Sequence, residues 1–323
     1  MDPIKPSALR IVFMGTPDFA VPSLRLLHEQ GYQIAGVVTA TDKLGGRGKN
    51  QVIASPVKIY AQEHHLPVLQ PKSLKSPKFL RELETLKPDI QIVVAFRMLP
   101  ESVWNLPPLG TFNLHGSLLP RYRGAAPIHW AVIHGERETG LTSFKLQHEI
   151  DTGSILLQRK VPIGVEDTTG TLYNRMKTVG AEVVLETVQT ICRGKYHLYP
   201  QDDRAASQAP KLFTQDAEID FNRPAKEVYN FIRGMSPVPG AWTTIDGKVV
   251  KIYFAEPVSL DSNLLPGQIR TNQRNFLEIA TRGGAVRVKT IQMEGKRVMD
   301  IRTFLNGYAV KDLVTEPSLN EPS

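Results

Sequence analysis

Short apolar runs alternate with helix-spaced apolar positions over the first half of the chain, which predicts strands and helices in turn. Arg10–Met14 is an apolar run that stops at Gly15 and is followed by Thr16-Pro17-Asp18. Phe19–Gln30 places Val21, Leu24 and Leu27 on one helical face and stops at Gly31. Ile34–Thr39 reads as a buried strand. Ser55–His64 opens with Ser-Pro, a favourable helix start, and leads to a short strand at Val68-Leu69. A helix over Pro77–Leu86 precedes the strongly apolar Ile90–Phe96, and the next strands are Thr111–His115 and Leu141–Leu146. Thr169–Arg193 reads as a long closing helix. This alternation predicts an α/β fold with a doubly wound, mostly parallel sheet. Ligands of such sheets sit at the carboxyl ends of the strands, which here places Gly15, residues 96–99 and residues 113–120 in one crevice.

The pattern changes after residue 194. Residues 194–215 are polar and turn-rich and are expected to be a linker. One helical stretch, Pro224–Met235, is followed by five short strand-like runs between Trp242 and Gln292, separated by Gly, Pro and Asn. That is the pattern of a small β-barrel or sandwich of about a hundred residues. The expected division is an N-terminal domain over residues 1–206 and a C-terminal β-barrel over 207–323.

Composition narrows the class without choosing within it. The 323 residues are 41% hydrophobic and 22% charged, ordinary for a globular protein. No apolar run is long enough to span a membrane, and Met1–Pro6 has no apolar core of the signal-peptide kind. A single cysteine, Cys192, excludes an internal disulfide and a thiolate metal cluster, so a reduced, cytoplasmic setting is expected. The net charge of +7 permits a polyanionic partner. Lys251, Arg270, Arg274, Arg282, Arg287, Lys289, Lys296 and Arg297 concentrate cations in the C-terminal β region.

Candidate chemistry lies at the turns. Gly15-Thr16-Pro17-Asp18 lacks the three glycines of a dinucleotide-binding turn, and no Walker-type phosphate loop occurs. Residues 41–51 form a glycine-rich segment carrying Lys43, Arg47 and Lys49, suited either to phosphate-backbone contact or to a solvated surface loop. On a strand, Asn113 and His115 project to the same side. An amide donor beside a titratable ring suits a reaction that develops negative charge while a proton moves; the alternative is a satisfied polar pair at a strand end. The Leu118-Leu119-Pro120 turn is apolar enough either to wall a flat heterocycle or simply to pack under the next helix. Asp151, in Asp-Thr-Gly, can approach His115. An aspartic protease would need a second Asp-Thr-Gly in an all-β context, and there is none. No histidine has metal-ligand spacing, so no metal is expected.

Taken together, Asn113-Leu114-His115-Gly116-Ser117-Leu118-Leu119-Pro120-x-Tyr122-Arg123-Gly124-Ala125-Ala126-Pro127-Ile128 and Ile150-Asp151-Thr152-Gly153 resemble the signature of the folate-dependent formyltransferases. The Gly15–Ala20 opening, the Gly46-Arg47-Gly48-Lys49 loop leading to Ser55-Pro56-Val57-Lys58, and the added β domain are similar to the branch that acts on methionyl initiator tRNA. That family has Ala-Tyr-Gly and two apolar residues before Leu-Pro, where this chain has Ala95-Phe96-Arg97-Met98-Leu99-Pro100, one residue shorter.

The resemblance implies a Rossmann-like catalytic domain followed by an OB-like barrel. It implies catalytic roles for Asn113, His115 and Asp151, with Asp151 either orienting the ring or taking the amine proton through water. The formyl donor, 10-formyltetrahydrofolate, would lie against Ser117, Leu118, Leu119, Pro120, Phe96, Met98 and Leu99. Lys43, Arg47, Lys49 and the basic β domain would hold the tRNA, and the chain would act as a monomer in translation initiation. Two rivals share part of this pattern: a formyltransferase acting on an amino sugar nucleotide or on glycinamide ribonucleotide, and a non-catalytic nucleic-acid-binding protein.

Overall fold

The computed structural model describes residues 5–45, 51–260 and 263–311. The chain divides into two compact units. One comprises Met1–Pro127, Glu138–Pro162 and Tyr173–Pro210; the other comprises Ile128–Arg137, Ile163–Leu172 and Lys211–Ser323.

The first part of the chain runs β1 (Arg10–Gly15), α1 (Val21–Glu29), β2 (Gln33–Val38), β3 (Lys43–Gly45), β4 (Gln51–Ile53), α2 (Pro56–Glu63), β5 (Val68–Leu69), α3 (Pro77–Thr85), β6 (Ile90–Val94), α4 (Glu101–Trp104) and β7 (Thr111–His115). It continues through α5 (Pro127–Ile133), β8 (Glu138–Lys145), β9 (Ile155–Pro162) and α6 (Thr169–Cys192). Seven strands form one sheet in the order β5-β2-β1-β6-β7-β8-β9. The first five are parallel to one another, and β8 and β9 are added antiparallel. The chain winds from β1 outward through β2 to β5, then returns to place β6 on the other side of β1. The connections therefore diverge between β1 and β6, which opens a crevice at the carboxyl ends of these strands.

The central strands are buried almost throughout, as strands covered on both faces must be, which is why their sequences are near-continuous apolar runs. In β7 only Asn113 is not fully buried. Residues Asp18–Ala20 form a 3-10 turn, so α1 starts at Val21, two residues later than its periodicity predicts. Ser55 caps α2 by accepting from the Lys58 amide at 3.0 Å, with Pro56 at the first helical position. β6 stops at Val94 because Ala95 takes φ 47°. Lys43–Gly45, expected within the 41–51 loop, pairs with Gln51–Ile53 as a two-stranded ribbon. Edge strand β9 was not evident in the sequence, because Gln158-Arg159-Lys160 are exposed and break the apolar alternation.

The second unit holds α7 (Ala225–Met235), β10 (Ala241–Ile245), β11 (Lys248–Val258), β12 (Ile269–Thr271), β13 (Leu277–Thr281), β14 (Gly284–Met293), β15 (Met299–Asp300) and α8 (Ile301–Gly307). Its sheet is antiparallel in the order β10-β11-β14-β13-β12, with β15 on β14. Among the described residues no ladder joins β10 to β12, so the expected barrel is a curled half-barrel. Its core combines Val250, Ile252, Val286 and Ile291 from the strands with Val228 and Ile232 of α7 and Phe304 and Leu305 of α8. No helix among the described residues is long and apolar enough to cross a membrane. Cys192 is a buried free thiol, with its pKa pushed up by burial.

Candidate active site

β7 carries Asn113 and His115 to the carboxyl edge of the parallel sheet on one face. In register, Asn113 lies between Val93 of β6 and Phe144 of β8, and His115 lies opposite Thr142. The Asn113 side chain is half-buried and makes no hydrogen bond to any described residue. His115 is 7% exposed, and its Nε2 lies 2.8 Å from the Tyr122 carbonyl oxygen. A carbonyl only accepts, so Nε2 carries a proton and Nδ1 is the nitrogen left to gain or lose one. Nδ1 faces Asp151 Oδ2 at 3.6 Å.

Two strained residues make this geometry. Tyr122 and Asp151 take φ 60° and 55°, left-handed conformations that cost non-glycine residues about 1–2 kcal/mol each. The Tyr122 turn aims its carbonyl at His115. Asp151 Oδ2 accepts from the Gly124 amide at 2.9 Å, which ties the Asp-Thr-Gly turn to the signature segment. Glycine is required on both sides of that tie. A Cβ on Gly124 would meet the Ala209 carbonyl oxygen at 2.7 Å, and one on Gly153 would meet the Lys145 carbonyl oxygen at 1.8 Å.

The 117–120 turn rests on one hydroxyl. Thr142 Oγ1 donates to the Ser117 carbonyl at 2.6 Å and accepts from the Leu119 amide and the Gln158 amide nitrogen, each at 3.0 Å. Gln158 also donates to the Leu119 carbonyl at 2.8 Å. Ser117 Oγ is turned inward to the Arg121 carbonyl at 2.6 Å, and Leu119 is buried. Leu118 and Pro120 remain partly exposed.

Across the crevice edge, Leu99 is buried with Val93 and Val103, and Phe96 packs on the same cluster. Met98 is 68% exposed. Arg97, which sets this loop apart, donates to the carbonyls of Lys72 and Pro71 and stacks over Phe96. At the end of β1, Asp18 accepts from Tyr173 at 2.7 Å and Lys177 at 2.9 Å. Burial opposes its ionisation, but these hydrogen bonds and the Lys177 charge hold its pKa below the usual value. Burial and then the Asp18 carboxylate push the Tyr173 phenol well up.

Sequence reading missed the segment 199–209, which fastens the site from behind. Ser207 accepts from the Tyr122 amide through Oγ at 2.9 Å and from the Arg123 amide through its carbonyl at 2.8 Å. Ala209 donates to the Arg123 carbonyl at 2.7 Å. Gln201 Nε2 donates to the carbonyls of Asp151 and Gly153, both at 2.8 Å, while its Oε1 accepts from Arg123 Nε and Nη2 at 3.1 and 2.8 Å. Arg123 is 8% exposed and also pairs with Asp203 at 2.7 Å. No local signal marks these residues. They lie 48 to 86 positions from their partners, in a stretch whose polarity reads as a linker.

The basic residues are placed unevenly. Lys43 is exposed on the β3–β4 ribbon, whereas Arg47 and Lys49 lie outside the described residues. In the second unit, Arg270 and Arg287 both pair with the buried Glu278, and Lys289 pairs with Glu256 at 2.8 Å. Part of the positive charge expected there is thus already neutralised. Among the described residues, no group of three or more His, Cys, Asp or Glu is placed to hold a metal ion.

A formyl transferase family model matches residues 9–188, and a formyl transferase C-terminal domain model matches residues 211–309. The chain is 51% identical over 318 residues to a methionyl-tRNA formyltransferase of Porphyromonas gingivalis, covering 95% of this chain and 98% of the relative. It is 50% identical over 315 residues to a methionyl-tRNA formyltransferase of Parabacteroides distasonis, covering 94% and 97%. Among solved structures it is similar in fold to WlaRD, a sugar 3N-formyl transferase determined in the presence of dTDP and 5-N-formyl-THF. There the TM-score is 0.66 at 20% identity, over 90% of this chain and 99% of that one. The chain belongs to the formyl transferase family, in the branch of the methionyl-tRNA formyltransferases.

Proposed function

We infer that the chain transfers the formyl group of 10-formyltetrahydrofolate to the α-amine of methionine carried by initiator tRNA, giving formylmethionyl-tRNA for translation initiation. In this reaction a bond forms between the amine nitrogen and the formyl carbon, the bond from that carbon to N10 breaks, and one proton passes from the amine to N10. Negative charge develops on the formyl oxygen as the amine attacks. Asn113 offers an amide donor with no partner among the described residues, and a protonated His115 offers a charged one beside it. Nδ1 of His115 moves the proton, and Asp151 either orients and charges the ring or receives the amine proton through water.

The residues expected to hold the donor fit a flat heterocycle in part. Leu118, Pro120 and Phe96 present partly exposed apolar surface, and Met98 is open to solvent. The Ser117 and Leu119 side chains face inward and their main chain is held by Thr142 and Gln158, so they fix the turn that carries Leu118 and Pro120. The acceptor assignment rests on the near-full-length identity to methionyl-tRNA formyltransferases. Lys43, Arg47 and Lys49 would meet the tRNA backbone by charge.

The observation that carries the chemistry is the pairing of His115 Nε2 with the Tyr122 carbonyl, which leaves Nδ1 to Asp151 beside an unengaged amide. The test is formyl transfer from 10-formyltetrahydrofolate with charged initiator tRNA and a dTDP-linked amino sugar offered as separate acceptors. Turnover confined to the tRNA is expected. Turnover confined to the sugar, or none with either, overturns the reading.

A further inference from the structure

His115 and Asp151 are each tied by a hydrogen bond to the 122–124 segment, and one side chain outside both signature segments closes the ring between that segment and the Asp151 turn. From β7, His115 reaches the Tyr122 carbonyl; two residues on, the Gly124 amide reaches the Asp151 carboxylate. The Asp151 carbonyl is bonded in turn by Gln201, whose other end is gripped by Arg123, between Tyr122 and Gly124. Among the described residues, Gln201 alone hydrogen-bonds both the main chain of the Asp151 turn and a side chain of the 122–124 segment.

We propose that Gln201 is a positioning residue for the transfer reaction, setting the Asp151 carboxylate against the His115 imidazole. Three observations carry this. Asp151 sits at φ 55°, a conformation that must be held by its surroundings, and Gln201 holds it at its own carbonyl and again at Gly153. The Nδ1 to Oδ2 separation of 3.6 Å is longer than a hydrogen bond, so a small rotation of the turn decides whether the two groups meet. The amide is chemically specific: Nε2 must donate twice to carbonyls while Oε1 accepts from a guanidinium. A carboxylate satisfies Arg123 but sets its oxygens against two carbonyl oxygens, and an aliphatic chain satisfies neither side.

The inference rests on the assignment of His115 and Asp151 to the reaction, and the test separates the two. Gln201→Glu and Gln201→Leu are compared with Asp151→Asn and with the Asp151→Asn/Gln201→Leu double variant. Each Gln201 variant is expected to lower kcat about tenfold or more, with KM for both substrates within about twofold of the parent. On the Asp151→Asn background, Gln201→Leu is expected to cost less than about twofold further, because its effect runs through Asp151. The 15N signals of the His115 imidazole at pH 7 are expected to move in both Gln201 variants. This readout does not depend on turnover, and unfolding is monitored by circular dichroism. If Gln201→Leu does not fold, Gln201→Glu, which keeps the Arg123 contact, carries the comparison. Unchanged kcat, losses that multiply in the double variant, or His115 signals superposable on the parent would each overturn the proposal. Full turnover in Asp151→Asn instead removes the assignment beneath it.

Discussion

His115 and Tyr122 are joined through Nε2 and a main-chain carbonyl at 2.8 Å, so the ring's protonation is decided at its other nitrogen. That nitrogen faces Asp151. In Asp151→Asn the oxygen that accepts from the Gly124 amide stays in place, but the full negative charge facing Nδ1 is lost. Turnover is expected to fall about 10²- to 10⁴-fold with folding unchanged. Single-turnover formyl transfer under saturating substrates measures it, and a loss below tenfold contradicts the assignment.

Asn113→Ala removes a donor that no described residue uses, so stability is expected to change by less than about 0.5 kcal/mol. If the amide meets the developing oxyanion, kcat falls a hundredfold or more, worth about 3 kcal/mol in the transition state. Near-normal turnover would remove Asn113 from the mechanism.

Thr142→Val keeps shape and deletes the hydroxyl under the 117–120 turn. The Leu119 amide and the Gln158 side chain lose an acceptor inside a fully buried position. A destabilisation of about 2 kcal/mol is expected in urea unfolding, with a raised KM for the formyl donor. A raised KM for tRNA alone would place the turn elsewhere in the reaction.

Gly153→Ala drives a methyl group into the Lys145 carbonyl, so the main chain must shift. The expected cost is on the order of 3 kcal/mol, together with a loss of turnover as Asp151 moves off the ring. Thermal unfolding and activity, measured on the same sample, should fall together.

For tRNA, Arg47→Ala is expected to raise KM for the charged tRNA and to lower the slope of log affinity against log salt by about one. Binding of the formyl donor should be unaffected. An equal loss of both would mean that the 41–51 segment supports the fold rather than the acceptor.

Much of this molecule was legible because its signals are local. The apolar runs of β1, β2 and β6 announced a sheet buried on both faces, and Ser55-Pro56 announced a helix start that the structure caps as expected. Asn113 and His115 two apart on β7 gave the shared face. The rest depends on partners far along the chain. Nothing around Gln201 or Ser207 distinguishes them from solvated turn residues until Asp151 and Tyr122 are in place. The strand β9 is hidden in the sequence because its exposed Gln158-Arg159-Lys160 run loses the alternation that reveals inner strands. The anchoring of the 117–120 turn on Thr142, 23 to 25 positions away, is likewise invisible until β7 and β8 are paired.

The fastening of residues 199–209 behind the signature segment bears on how the site comes into being. A chain ended at Cys192 would contain all seven strands of the sheet and all three members of the trio. It would still lack what aims two of them. A fragment that keeps these contacts therefore extends at least to Ala209, and a nascent chain acquires them only after that stretch has left the ribosome.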